Sequence, residues 1–247
     1  MSTGPKPGPW NDAPRSGGPR CVAPGPDRRG KAEPEMNPSK GFFLALDGPD
    51  GGGKSTQVAR LHAWLIEQGR EVVTCRDPGG TALGERLRAL ILGRAEAAIG
   101  MRAEMLLYMA SRAQLVDEVI RPALEAGKVV ISDRFLLANV VYQGVAGGLD
   151  PAEIIAVGRA ATGGLLPDLT IVLDVPAEVA KARTGGPRDR IEDRPLSYRE
   201  AVRAGFRSGP TIYPAPVVVL DASGDLDSTF HAIQAEVSRA LGTDPRR

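Results

Sequence analysis

The chain is poor in cysteine, histidine and aromatic residues: of 247 residues, two are Cys, two are His and 4% are Phe, Trp or Tyr. Cys21 and Cys75 do not make a disulfide framework, and a reduced, cytoplasmic compartment is the simpler expectation. His62 and His231 fall on expected helices without partners and read as structural or surface residues. An excess of one charge is also lacking, since 31 Lys and Arg face 30 Asp and Glu for a net charge of +1. That balance gives no support to a general nucleic-acid binder. No apolar run approaches the roughly 18 residues of a membrane span, and the N-terminal stretch has no apolar core of the secretory kind. What remains, 42% hydrophobic and 25% charged, suits one globular domain with a full core plus an appendage.

The appendage is residues 1–40, with nine Pro and six Gly and no hydrophobic periodicity. Such a composition buries too little apolar surface to offset chain entropy, so it reads as a disordered extension. The alternative is that translation starts at Met36.

The remainder, 41–247, is organised around Gly48-Pro49-Asp50-Gly51-Gly52-Gly53-Lys54-Ser55, which fits the G-x-x-x-x-G-K-[S/T] phosphate-binding loop and runs on into Thr56. Glycines let successive backbone N–H groups converge on one anion, and a helix starting at Lys54 adds its positive end. Lys54 is suited to the β- and γ-phosphates, and the Ser55 hydroxyl to Mg²⁺. The flanks supply the required context. Residues 41–46 make an apolar run of strand length, and Val58, Leu61 and Leu65 recur at helical spacing before Gly69 stops the helix.

Further strands are expected at 71–74, 128–132, 169–173 and 217–220. Helices are expected around 83–91, 101–126 (bent late by Pro122), 151–161 behind an Asp150 cap, and from an Asp227 cap to about 241. The alternation predicts an α/β fold, a five-stranded parallel sheet flanked by helices on both faces. Ligands of such sheets sit beyond the carboxyl ends of the strands, where every polar cluster of this chain falls. Arg76-Asp77-Pro78-Gly79-Gly80-Thr81 follows strand two, with Arg88 on the next helix; it fits a loop beside a solvated face, or a second phosphate site because Arg grips phosphate bidentately. Tyr108, Ser111 and Arg112 share a helix face. That pattern fits a core aromatic beside a surface arginine, or a face that stacks on a base and donates to its carbonyl. Asp133-Arg134-Phe135 closes strand three, with Asn139, Tyr142 and Gln143 soon after. The acid suits Mg²⁺ through water and the base suits phosphate.

These segments, in this order, resemble those of bacterial thymidylate kinases over about 41–241. The matching pieces are the P-loop, the Arg76–Thr81 loop, Ala110-Ser111-Arg112, Asp133-Arg134-Phe135 with Tyr142-Gln143-Gly144, and a basic segment from Arg183 to Arg194. The resemblance implies the nucleoside monophosphate kinase form of the P-loop fold, with a short lid at about 183–195. It implies ATP-dependent phosphorylation of dTMP to dTDP with Mg²⁺, in a homodimer. It places Asp50 near the sugar 3′-hydroxyl, and Arg134, Arg88 and Arg76 on the monophosphate. Tyr108, Arg112 and Asn139 fall on thymine, with Tyr142 crowding the sugar C2′ and Ser111 and Gln143 also counted in the dTMP site. Some members carry an arginine inside the P-loop where this chain has Gly51. The lid must then supply the cation that stabilises the moving phosphoryl group, with Arg190 first and Arg183 and Arg188 behind it. Asp47 and Asp77 stand where glutamate is usual, and Ala138-Asn139 where a Ser-Ser pair is common. The rival expectations are a kinase for another nucleotide or deoxynucleoside, and a P-loop switch that holds ATP without turnover.

Overall fold

A computed structural model describes residues 41–93, 98–183, 190–191 and 193–243. The extension over 1–40 and Arg188 of the basic segment lie outside these residues.

The chain runs β1 (Phe42–Asp47), α1 (Lys54–Glu67), β2 (Val72–Arg76), α2 (Ala82–Leu92), α3 (Met101–Leu115), α4 (Arg121–Glu125) and β3 (Val129–Asp133). It continues with α5 (Leu136–Asn139), α6 (Pro151–Thr162), β4 (Leu169–Asp174), α7 (Ala177–Arg183), α8 (Leu196–Arg207), α9 (Gly209–Ile212), β5 (Val217–Asp221) and α10 (Leu226–Ala240). Among the described residues the sheet has five strands in the order β2-β3-β1-β4-β5, all parallel. Parallel strands carry apolar side chains on both faces, and β1 shows it. Phe43 and Ala45 face one core with Met105, Leu115 and Phe206, while Phe42, Leu44 and Leu46 face the other with Leu61, Leu65 and Ile233.

Topology fixes where a ligand sits. β1 and β3 are neighbours, with Leu46 opposite Asp133. The chain leaves β1 toward the β2 edge and leaves β3 toward the β4–β5 side. Their carboxyl ends therefore bound the crevice where the connections diverge. The P-loop follows one strand and Asp133-Arg134 ends the other.

Two helical expectations change. The helix over 101–126 does not simply bend at Pro122: a π-helical stretch, Val116–Ile120, separates α3 from α4, and the Arg121 N–H bonds back to Val116. The wider turn comes just before Pro122, which has no N–H for an α ladder. The apolar stripe along this segment packs inward, with Met105, Leu115 and Ala123 in the core. The cap of α10 is Asp225, whose carboxylate accepts from the N–H groups of Asp227 and Ser228. Asp227 instead pairs with Arg60 at 2.5 Å. Among the described residues, no helix is long and apolar enough to cross a membrane.

Candidate active site

The loop after β1 curls as its glycines require. Gly51 has φ +78, and a Cβ there would lie 2.5 Å from the Ala180 carbonyl oxygen on α7. A side chain at position 51 would require α7 to move, which sets this loop against an arginine there. Lys54, only 8% exposed, folds back to donate to the carbonyls of Gly48 (3.1 Å) and Pro49 (2.8 Å). Beside it the Ser55 hydroxyl donates to Asp133 Oδ2 at 2.7 Å, which brings together the hydroxyl and carboxylate expected near a divalent cation. Among the described residues no group of three or more His, Cys, Asp or Glu side chains is placed to hold a metal. A hard cation that keeps its waters and takes most other ligands from phosphate oxygens fits this sparse donor set.

Arg134 occupies the tip of β3 with φ +69, a left-handed conformation rare outside glycine. Its guanidinium donates to Asp50 Oδ1 (2.5 Å), Asp47 Oδ1 (3.1 Å), the Gly48 carbonyl (2.9 Å) and the Tyr142 hydroxyl (3.3 Å). The Tyr142 hydroxyl in turn donates to Asp50 Oδ2 at 3.0 Å. Burial alone would raise the Asp50 carboxyl, but Arg134 and then Lys54 overcome it and hold the group down at about 2. Asp47 is fully buried and keeps an Oδ2 without a hydrogen-bond partner among the described residues. There burial wins over Arg134 and Lys54, pushing the carboxyl up to about 6.

Lys54 is drawn down to about 8, first by burial and then by Arg134, against the opposing pull of Asp50, Asp133 and Asp47. A polyphosphate bound at this loop restores a full charge to the ammonium. Polyphosphate binding at pH 8 should then be accompanied by proton uptake, and by less of it at pH 7. Calorimetric binding enthalpies in buffers of different ionisation enthalpy read this directly. Lys54→Met should abolish the uptake, and a wild-type enthalpy independent of buffer at pH 8 would refute it.

Two adjoining clefts frame these groups. One, of about 1220 Å³ including its open mouth, is lined by Asp50, Gly51 and 53–56 of the P-loop, by Arg76, Asp133 and Arg183, and by Leu226. The other, of about 540 Å³, is lined by Tyr108, Arg112, Asn139, Tyr142 and Gln143, with Leu92 and Ile191. Asp50, Asp77, Arg88 and Arg134 belong to both. The clefts meet at two carboxylates and two guanidinium groups.

Behind the second cleft Arg112 is 1% exposed; its Nε donates to Asp77 Oδ2 (2.5 Å) and its Nη2 to Asn139 Oδ1 (2.5 Å) and the Phe135 carbonyl (3.2 Å). Asp77, one methylene shorter than the glutamate usual at its position, thus grips the helix arginine. Burial raises its carboxyl despite that partner. Arg88 reaches the Pro78 carbonyl at 2.9 Å, and Arg76 is held by Glu85 at 3.0 and 3.1 Å. Ser111 is buried and accepts the Gly79 N–H at 3.1 Å, so it braces the loop and is not among the cleft's lining residues. The π-helical stretch Val140–Val145, directly after α5, carries Tyr142 and Gln143 and keeps them on the cleft side with Asn139.

The basic segment divides. Arg183 lines the P-loop cleft and donates to the carbonyls of Ala222, Ser223 and Gly224. Arg190 does not line it: it is held by the Ile91 carbonyl (3.0 Å) and Glu104 Oε2 (2.6 Å).

A sequence profile described as thymidylate kinase matches residues 46–233, which spans both clefts. The chain belongs to the thymidylate kinase family. Curated relatives named thymidylate kinase agree along most of their length. That of Rhodopirellula baltica is 42% identical over 218 residues, covering 87% of this chain and 89% of the relative. That of Symbiobacterium thermophilum is 44% identical over 83% and 95%, and that of Leifsonia xyli subsp. xyli 46% identical over 80% and 94%. Two residues beside these clefts lie outside the expectations from sequence. Glu104 stands four and eight residues before Tyr108 and Arg112, a spacing that already put it on their helix face. Tyr198 on α8 donates to the Tyr142 carbonyl at 2.6 Å, a pairing 56 residues apart with no local signal.

Proposed function

We infer that this chain transfers the γ-phosphoryl group of ATP to dTMP, giving dTDP. The observation that carries this reading is the meeting of the two clefts at Asp50, Arg88 and Arg134. One cleft is built from main-chain amides and Lys54, the other from guanidinium groups and a stacking face, so two anionic nucleotides are brought end to end.

Each side chain then has a task. Lys54 and the amides of 48–55 hold the ATP phosphates. Ser55 and, through water, Asp133 hold Mg²⁺, which when bound neutralises the charge shared by the transferring and leaving oxygens. Arg134, Arg88 and Arg76 align the acceptor phosphate, and Asp50 takes the sugar 3′-hydroxyl. Tyr108, Arg112, Asn139 and Gln143 recognise thymine, with Ser111 bracing the loop behind them, while Tyr142 excludes a ribose 2′-hydroxyl. Arg190 is the cation for the transition state, with Arg183 and Arg188 in support; in the resting arrangement Arg190 is stored on Glu104. The acceptor phosphate is already ionised near neutral pH, so no general base is assigned, and catalysis is positioning and charge stabilisation.

The enzyme is further read as a cytoplasmic homodimer that uses neither nucleic acid nor membrane, with 41–247 as the kinase domain and about 183–195 as its lid. Because the α3 stripe packs inward, the apolar side chains left for a partner are exposed ones such as Leu83, Leu90 and Leu106.

A screen of monophosphate acceptors with ATP and Mg²⁺ tests the reading. ADP formation should depend on dTMP, and a preference for dCMP or dGMP would assign a related kinase instead. ADP release that ignores dTMP would favour a nucleotide switch. Arg190→Ala should lower kcat at least about 100-fold, the scale of losing a transition-state arginine.

A further inference from the structure

Glu104 lines neither cleft and is fully buried on α3. Its Oε1 accepts from Gln143 Nε2 (2.8 Å) and Arg194 (2.9 Å), and its Oε2 from Arg190 (2.6 Å) and Arg194 (2.7 Å). A chain of hydrogen bonds runs on from it. Gln143 Oε1 accepts from Asn139 Nδ2 at 2.8 Å, Asn139 Oδ1 accepts from Arg112, and Arg112 ends on Asp77.

An amide side chain can be turned end for end without changing shape, so its partners decide which way it points. Here the ends of the relay decide. A carboxylate between two guanidinium groups only accepts, and the guanidinium of Arg112 only donates. Two amides in series between such ends have a single consistent direction, with nitrogen toward Glu104 and oxygen toward Arg112. Gln143, Asn139 and Arg112 all line the second cleft. Pyrimidine bases differ in the same terms: thymine presents a keto acceptor beside an N3–H donor, and cytosine presents an amino donor beside an N3 acceptor.

We propose that Glu104 is a positioning residue that sets base specificity from behind the cleft. Together with Arg112 at the other end, it holds the direction of the Gln143–Asn139 relay and so the donor and acceptor pattern offered to the keto and N3–H edge. The proposal rests on reading dTMP as the acceptor.

Glu104→Gln keeps the shape but leaves one acceptor oxygen, which Arg190 and Arg194 draw away from the relay, so the amide nitrogen left facing Gln143 opposes the direction that Arg112 imposes. The experiment measures kcat and KM for dTMP and dCMP, with thermal melting as a check on folding. In E104Q the preference for dTMP over dCMP should fall at least about tenfold, mainly through a raised KM for dTMP. The variant Arg190→Lys/Arg194→Lys alters the other side of Glu104 while keeping its carboxylate paired with cations and the relay in place. Its kcat should fall while its preference stays within about twofold of wild type. Glu104→Asp keeps an acceptor-only carboxylate at this end and should hold the preference within about threefold of wild type. Where E104Q does not fold, Glu104→Met, which offers the relay no acceptor, carries the test with the same expected fall. An unchanged preference in folded E104Q or in Glu104→Met, a loss in Glu104→Asp equal to that in E104Q, or a loss in the double arginine variant equal to that in E104Q would each overturn the proposal. A wild-type enzyme that does not prefer dTMP to dCMP would overturn the acceptor assignment itself, so the two failures are distinguishable.

Discussion

Arg134→Ala should lower turnover at least about 100-fold while the protein still binds ATP, the scale of losing a positioning contact at the reacting groups. The residue joins both clefts, and Asp50, Asp47 and Tyr142 aim its fork there from three sides. Arg134→Lys keeps one charge but loses the fork, and should recover only part of the rate, because a single ammonium cannot hold a phosphate and these partners together. Single-turnover measurement at saturating ATP, with dTMP varied, separates lost acceptor binding from lost chemistry. A near-normal rate for Arg134→Ala would mean that the acceptor phosphate lies elsewhere.

The second large effect concerns folding. Arg112→Met strips a 1%-exposed guanidinium from Asp77, whose side chain is wholly buried. Removing one partner of a buried pair leaves an uncompensated charge, at a cost of about 3–5 kcal/mol. The sign of the pH dependence follows from the same pair. Burial already raises Asp77 above its ordinary value with Arg112 present; without Arg112 the folded carboxyl binds its proton more tightly still than the unfolded chain does. Stability is then regained as pH falls through the folded pKa, so the deficit should be smaller at pH 5 than at pH 8. Urea unfolding at the two pH values checks both statements. The double variant Arg112→Met/Asp77→Leu should recover much of the loss, since it removes both buried charges. A loss below about 1 kcal/mol in Arg112→Met would show that Asp77 is compensated by another group.

The parts of this site legible in the sequence were the contiguous ones. The P-loop declares itself because its glycines, Lys54 and Ser55 act within one turn of chain. Asp133 and Arg134 declare themselves because an acid and a base at a strand tip lie next to it in any such sheet. What was hidden depends on partners far along the chain. Ser111 reads as part of a base-facing helix, yet its hydroxyl is spent on the Gly79 N–H. Asp227 reads as a cap because it opens the apolar pattern of α10, but Asp225 is placed to accept two N–H groups and leaves Asp227 to Arg60. Arg190 reads as a free lid cation, and only the fold shows Glu104 beside it, 86 residues away. The helix α8 did carry a local signal, Tyr198, Val202 and Phe206 at four-residue intervals, with the last two buried in the core. The π-helical turns carried none, because the pattern of side chains does not report a shift of one residue in the backbone ladder.

A crystal structure with dTMP and a non-hydrolysable ATP analogue addresses the central claim most directly. The triphosphate should lie on the amides of 48–55 with Lys54, the monophosphate on Arg134 and Arg88, and thymine against Arg112 and Asn139, with the two phosphate chains facing each other across Asp50. A monophosphate bound away from Arg134, or a base outside the cleft lined by Arg112 and Asn139, would contradict it.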